Sequence, residues 1–102
     1  MAVLFDVKTF IRSNEFDSIF KELITLKNPS ISKIQRKWGL SFQKAKRLYE
    51  EVQLYSGDVY LQDALFELKH EYEPLTITRI MGRLNISYLL AEKLFQMYME
   101  DY

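Results

Sequence analysis

The stretch SISKIQRKWGLSFQKAKRLYEEV, residues 30–52, decides the fold. Its apolar residues fall into two helical stripes separated by a glycine. Ile34, Trp38 and Leu40 belong to the first helix and the turn; Ala45 and Leu48 belong to the second. Ser30 and Ser41 stand where each helix begins, and a serine there can accept from the free amides of a first turn. Gly39 permits the left-handed backbone that a tight turn between crossing helices demands. Ala45 is small where the second helix passes close to the first. These are the requirements of a helix-turn-helix: a short permissive turn, apolar contacts beneath it and a polar outer face on the second helix. Gln35 takes a position that many such motifs give to alanine.

The chain repeats this pattern. Shifted by 46 positions, DSIFKELITLKNPSISKIQRKWGLSFQKAKRLYEEV (17–52) aligns without a gap on DALFELKHEYEPLTITRIMGRLNISYLLAEKLFQMY (63–98). Identical pairs include Phe20/Phe66, Ile34/Ile80, Ser41/Ser87, Ala45/Ala91 and Leu48/Leu94, and Asn85 falls on Gly39. Glycine and asparagine both tolerate a left-handed backbone, so that exchange preserves a turn geometry. The alignment implies an internal duplication.

Ahead of each helix pair lies a further amphipathic helix. In the first copy it carries Phe16, Ile19, Phe20, Leu23 and Leu26, starts at Ser13-Asn14 and ends at Asn28-Pro29. In the second it is capped by Ser56 or Asp58 and broken at Glu73-Pro74. Leu4, Phe5, Val7, Phe10 and Ile11 suggest an additional helix or strand packed on the core. QLYSGDVY joins the copies through a Ser-Gly-Asp turn, with little room for a β-wing. The expected fold is all-α, a duplicated three-helix helix-turn-helix unit with the wing absent or reduced. Residues 1–54 hold the N-terminal segment and first repeat, and residues 55–102 the second, packed together as one domain.

The net charge is zero, but it is unevenly spread. Between Asp17 and Leu54, eight cations (Lys21, Lys27, Lys33, Arg36, Lys37, Lys44, Lys46, Arg47) face four anions (Asp17, Glu22, Glu50, Glu51). Between Asp63 and Glu100, four cations (Lys69, Arg79, Arg83, Lys93) face six anions (Asp63, Glu67, Glu71, Glu73, Glu92, Glu100). Gln43, Lys44 and Arg47 are expected on one exposed face of the second helix, where arginine or lysine suits guanine and glutamine suits adenine. Lys33, Arg36, Lys37 and Lys46, with Ser41, are placed to meet phosphates. In the second copy Leu89, Leu90 and Lys93 occupy the matching face, near Arg79 and Arg83. Two leucines cannot donate to bases, so this side is expected to form a second DNA contact, a dimer seam, a protein-binding surface or the packing between copies.

Residues 30–52 resemble the DNA-binding gamma domain at the C-terminus of FtsK-type chromosome translocases. That family shows a run close to S-x-S-x-x-Q-R-[RK]-F-x-I-G-Y-N-R-A-A-R-L-x-[DE]. Ser30, Ser32, Gln35, Arg36, Lys37, Ala45, Arg47, Leu48 and Glu50 match it, and Trp38, Leu40, Phe42, Gln43 and Lys44 are near equivalents. The resemblance implies a winged-helix-like DNA reader whose contact positions are Gln43, Lys44 and Arg47. It covers about 23 residues and no motor: GxxxxGK[ST] is absent from the sequence.

Other chemistry finds little support. With no cysteine and one histidine, a usual zinc site cannot be assembled. His70 aligns with Ile24 and is expected half-buried on a helix. Glu50-Glu51 and Glu71/Glu73 are expected on helix surfaces without a pocket to tune them. Most tyrosines and phenylalanines fall on apolar stripes. The start, MAVLFDVKTF, lacks the basic n-region of a signal peptide, and no apolar run approaches membrane length. The expectation is a cytoplasmic, non-enzymatic protein that binds double-stranded DNA without a cofactor, small-molecule substrate or membrane. It would be a transcriptional regulator or an accessory factor of plasmid, phage or conjugative DNA handling. The alternative is a protein-interaction adaptor or dimerisation module on the same scaffold.

Overall fold

Asp6 opens the first helix by accepting from the amide of Thr9 (3.2 Å) and from its hydroxyl (2.8 Å). The Thr9 hydroxyl and amide together hold the Asp6 carboxyl below the ordinary aspartate value. The structure is a computed structural model and describes residues 5–68, 70 and 75–100. Among the described residues seven helices follow one another: α1 (Val7–Ile11), α2 (Asn14–Leu23), α3 (Ile31–Trp38), α4 (Phe42–Ser56), α5 (Asp58–Leu68), α6 (Ile77–Leu84) and α7 (Tyr88–Glu100). No strand occurs among the described residues, and the fold is all-α. The N-terminal segment is thus the helix α1 rather than a strand; Leu4 and the Glu73-Pro74 break lie outside the described residues.

Local chemistry sets the boundaries. Ser13, Ser30 and Ser41 each accept from an amide three residues on, at 3.1, 3.2 and 3.3 Å, and Thr76 does the same for Arg79 at 3.1 Å. Gly39 and Asn85 both sit in the left-handed region, at φ 63° and 53°. In each turn two successive amides converge on one carbonyl. Those of Gly39 and Leu40 donate to Gln35, and those of Asn85 and Ile86 to Met81. The Gln35 amide also makes a long 3.5 Å contact with the Leu40 carbonyl, which gives this residue a role in the turn. Shifted by 46, the bounds of α3 fall on those of α6, and the start of α4 on that of α7.

Three boundaries differ from expectation. Helix α2 stops at Leu23, and Leu26 is exposed beyond it. Asn28, at φ 53°, takes the left-handed conformation open to it ahead of Pro29. The linker QLYSGDVY is mostly helical. Ser56 is the last residue of α4 rather than a cap of α5, and Gly57 alone separates the two helices. That leaves no space for a wing.

Each copy has its own core. Phe10, Phe16, Phe20, Leu23, Ile34 and Leu48 centre the first; Leu61, Ile80, Leu90, Ala91 and Leu94 centre the second. Tyr55 touches both, and Leu89 of the second copy packs against the core of the first. The copies therefore meet along α4 and α7.

Candidate nucleic-acid interface

Helix α4 was expected to show Gln43, Lys44 and Arg47 on one outward face. The structure divides them. Gln43 is exposed, and the outward stripe continues from it through Lys46 and Glu50, three and seven residues on. Lys44 leans the other way. Its ammonium lies 3.5 Å from Glu15 of α2 and 5.2 Å from the centre of the Phe10 ring.

Arg47 turns from the outward face toward the second copy. Its Nε donates to Glu51 (3.0 Å), and its terminal nitrogen donates to the Asn85 carbonyl in the turn of the second copy (2.6 Å). Glu51 is fully buried, at 0% exposure. Its second oxygen accepts from the Ser87 amide at the start of α7, at 3.0 Å. A buried carboxylate is costly unless paired and hydrogen-bonded, and here both oxygens are engaged. The expectation that Glu51 is a surface acid like Glu50 is thereby corrected. The missed signal was its phase: Glu51 follows Leu48 by three residues and precedes Val52, on the inward side of the helix.

The second copy mirrors this use of position 47. Lys93, 46 residues on, donates to the Tyr55 carbonyl near the end of α4 (2.6 Å) and lies 4.0 Å over the Tyr55 ring. Both cations expected on reading faces instead bind α4 to the second helix pair: Arg47 from α4 to the turn before α7, Lys93 from α7 to the end of α4. Leu90 is fully buried in the second core and Leu89 packs on the first, so the pair offers no exposed apolar face.

Part of the matching face of α7 turns toward the first copy, while Tyr88 and Gln96 stay exposed. The counterparts of Gln43, Lys46 and Glu50 are Leu89, Glu92 and Gln96. All three line a cleft of about 60 Å³ that is lined on its other side by Phe20 and Lys21 of α2, by Ile24 just beyond it and by Tyr55. Tyr88 hydrogen-bonds Glu92, which with its negative charge raises the phenol above the ordinary tyrosine value. Arg79 and Arg83 lie on the exposed side of α6.

The remaining cations of the first copy stay outward. Lys33, Arg36, Lys37 and Lys46 are all exposed. Lys37 pairs with Glu22 at 3.6 Å and lies 4.9 Å from the Trp38 ring centre; Lys46 pairs with Glu50 at 3.9 Å. Lys33 makes a long 3.5 Å contact with the Asn28 carbonyl. Exposed pairs of this kind contribute ~0.2–1 kcal/mol, so a phosphate can displace the carboxylate. Ser41 is exposed, and its hydroxyl oxygen caps α4 while the O–H remains available as a donor.

Phe42 was not among the expected site residues, yet it is 55% exposed at the first position of α4, beside Gln43 and one turn from Lys46. His70, expected half-buried, is exposed with its ring edge-on to Phe66 at 4.7 Å. No helix among the described residues is long and apolar enough to cross a membrane. Compared with known proteins, the chain matches no family model, and it has no significant match to a curated protein or a solved structure.

Proposed function

We propose that this protein binds double-stranded DNA through its first helix-turn-helix. Helix α4 enters the major groove, and its outward residues Gln43 and Lys46 meet base edges. Ser41, with Lys33, Arg36 and Lys37 of α3, holds the phosphates. One observation carries this reading: a short helix, a left-handed glycine and a capped second helix present a continuous exposed face of amide and ammonium groups. The likeness of residues 30–52 to FtsK-type gamma domains points the same way. Arg47 and Lys93 take no part, because both are committed to carbonyls where α4 meets the second helix pair.

The second copy serves as a brace. Leu89 of its matching face packs on the first core and Lys93 is bonded to Tyr55, so α4 is the recognition helix of this reading. The protein-interaction alternative rested on Leu89 and Leu90, and both are used inside the molecule. A regulator of transcription, or an accessory factor in the handling of plasmid, phage or conjugative DNA, is the role that suits a small reader of this kind.

The test is fluorescence anisotropy on random-sequence duplex across a salt series. Three phosphate-contacting cations, Lys33, Arg36 and Lys37, give a log–log slope of about −3. Lys37→Ala weakens binding about equally for every sequence. Gln43→Ala and Lys46→Ala relax sequence choice at a cost of ~1–3 kcal/mol on the preferred site. Absence of binding to any duplex at low salt overturns the proposal.

A further inference from the structure

We propose that Phe42 is a specificity residue that packs on the 5-methyl group of thymine, next to an adenine held by Gln43. The inference rests on the DNA-binding reading above and names part of what the site recognises. Phe42 is the first residue of α4 and more than half exposed. Its neighbours along the outward face are polar or cationic: Ser41 before it, Gln43 after it and Lys46 one turn on. Lys33, Arg36 and Lys37 are exposed on the adjoining helix.

On α3, α4 and the turn between them, Phe42 is the large apolar side chain that is exposed; Trp38 and Leu40 are half-buried. A protein docking on α4 would need a contiguous apolar patch, and this face does not supply one. The occupant must instead be anionic, to suit the cations, and must carry an isolated apolar group within reach of a side chain flanked by hydrogen-bonding ones. Among base edges in the major groove, the thymine methyl is the group of that kind. The adjacent glutamine suits the N6/N7 edge of adenine. The pair Phe42-Gln43 therefore selects neighbouring thymine and adenine. The equivalent residue of the second copy, Tyr88, hydrogen-bonds Glu92 and is flanked by Leu89 rather than a glutamine, so the Phe42-Gln43 pairing belongs to the first copy.

The experiment uses the whole chain. Duplexes enriched from a random pool are resynthesised with deoxyuridine in place of thymidine, which removes the methyl and keeps the base pair. The unaltered protein is expected to lose about fourfold in affinity at one or two thymine positions, the worth of one buried methyl each. Phe42→Ala is expected to bind both duplexes equally, near the level of the unaltered protein on the deoxyuridine duplex, with an unchanged melting temperature. Phe42→Leu is expected to keep the preference. Equal binding of both duplexes by the unaltered protein, or enriched sequences without thymine, overturns the inference and leaves DNA binding standing. Failure to bind any duplex at low salt overturns both.

Discussion

Positions 47 and 93 show how one residue type at one helical position can serve a joint instead of a ligand. Arg47 reaches the Asn85 carbonyl and Glu51; Lys93 reaches the Tyr55 carbonyl. Removing Arg47 strands the buried Glu51 carboxylate, so Arg47→Met is expected to cost about 3 kcal/mol in urea unfolding. The double variant Arg47→Met/Glu51→Leu is expected to recover much of that, because the buried charge goes with its partner. An Arg47→Met cost below ~0.5 kcal/mol would show that the joint does not bear on stability. Asp17 has the opposite character. Burial raises its carboxyl above the ordinary aspartate value, only partly offset by the Lys21 charge, and one of its oxygens is buried without a partner. The folded state therefore holds this proton more tightly than the unfolded state does. Its contribution to stability falls as pH rises from the unfolded value to the raised folded one, and the full cost persists above that. Asp17→Asn is expected to raise the melting temperature at pH 7, with the gain shrinking as acid protonates the native residue. A gain that does not shrink would separate it from ionisation. Gln43 and Lys46 were legible because outwardness follows from helical phase. The fate of Arg47 was not, since it depends on a turn 38 residues away along the chain.

At the scale of elements, the caps and turns could be read from the sequence because they are local. Ser13, Ser30, Ser41, Gly39 and Asn85 each act within a few residues of their own position. A Cβ added at Gly39 would meet nothing within 4 Å, so only the φ of 63° selects glycine there. Gly39→Ala is then expected to cost about 1 kcal/mol and Gly39→Asn clearly less, since Asn85 already holds that geometry. Chemical denaturation orders the two variants, and equal costs would point to a steric cause instead. The end of α2 was less legible. Leu26 continues the apolar period but is exposed, because the helix stops at Leu23 with Thr25 donating back to the Glu22 carbonyl at 2.7 Å. Period alone does not say where a helix runs out of surface to cover.

Across the whole molecule, the neutral total masks a cationic first copy whose exposed lysines are partly answered by α2. Glu22 lies 3.6 Å from Lys37 in solvent. Glu22→Gln is expected to strengthen binding to any duplex by about two- to fivefold at low salt, an effect that fades as salt rises. Anisotropy with the variant checks this, and an unchanged affinity would place Lys37 away from the phosphates. The all-α class was visible in apolar spacing, and so was the register that sets the bounds of α3 on those of α6. The way the copies dock was not, because a face rich in leucine could equally have met a second molecule. That docking has a kinetic signature. The Ser87 amide, which starts α7, donates to a side chain of α4. Its proton can exchange with solvent only when the halves part, so its deuterium uptake should match that of the deepest amides in both cores. Heating should then melt the chain in a single cooperative step rather than two.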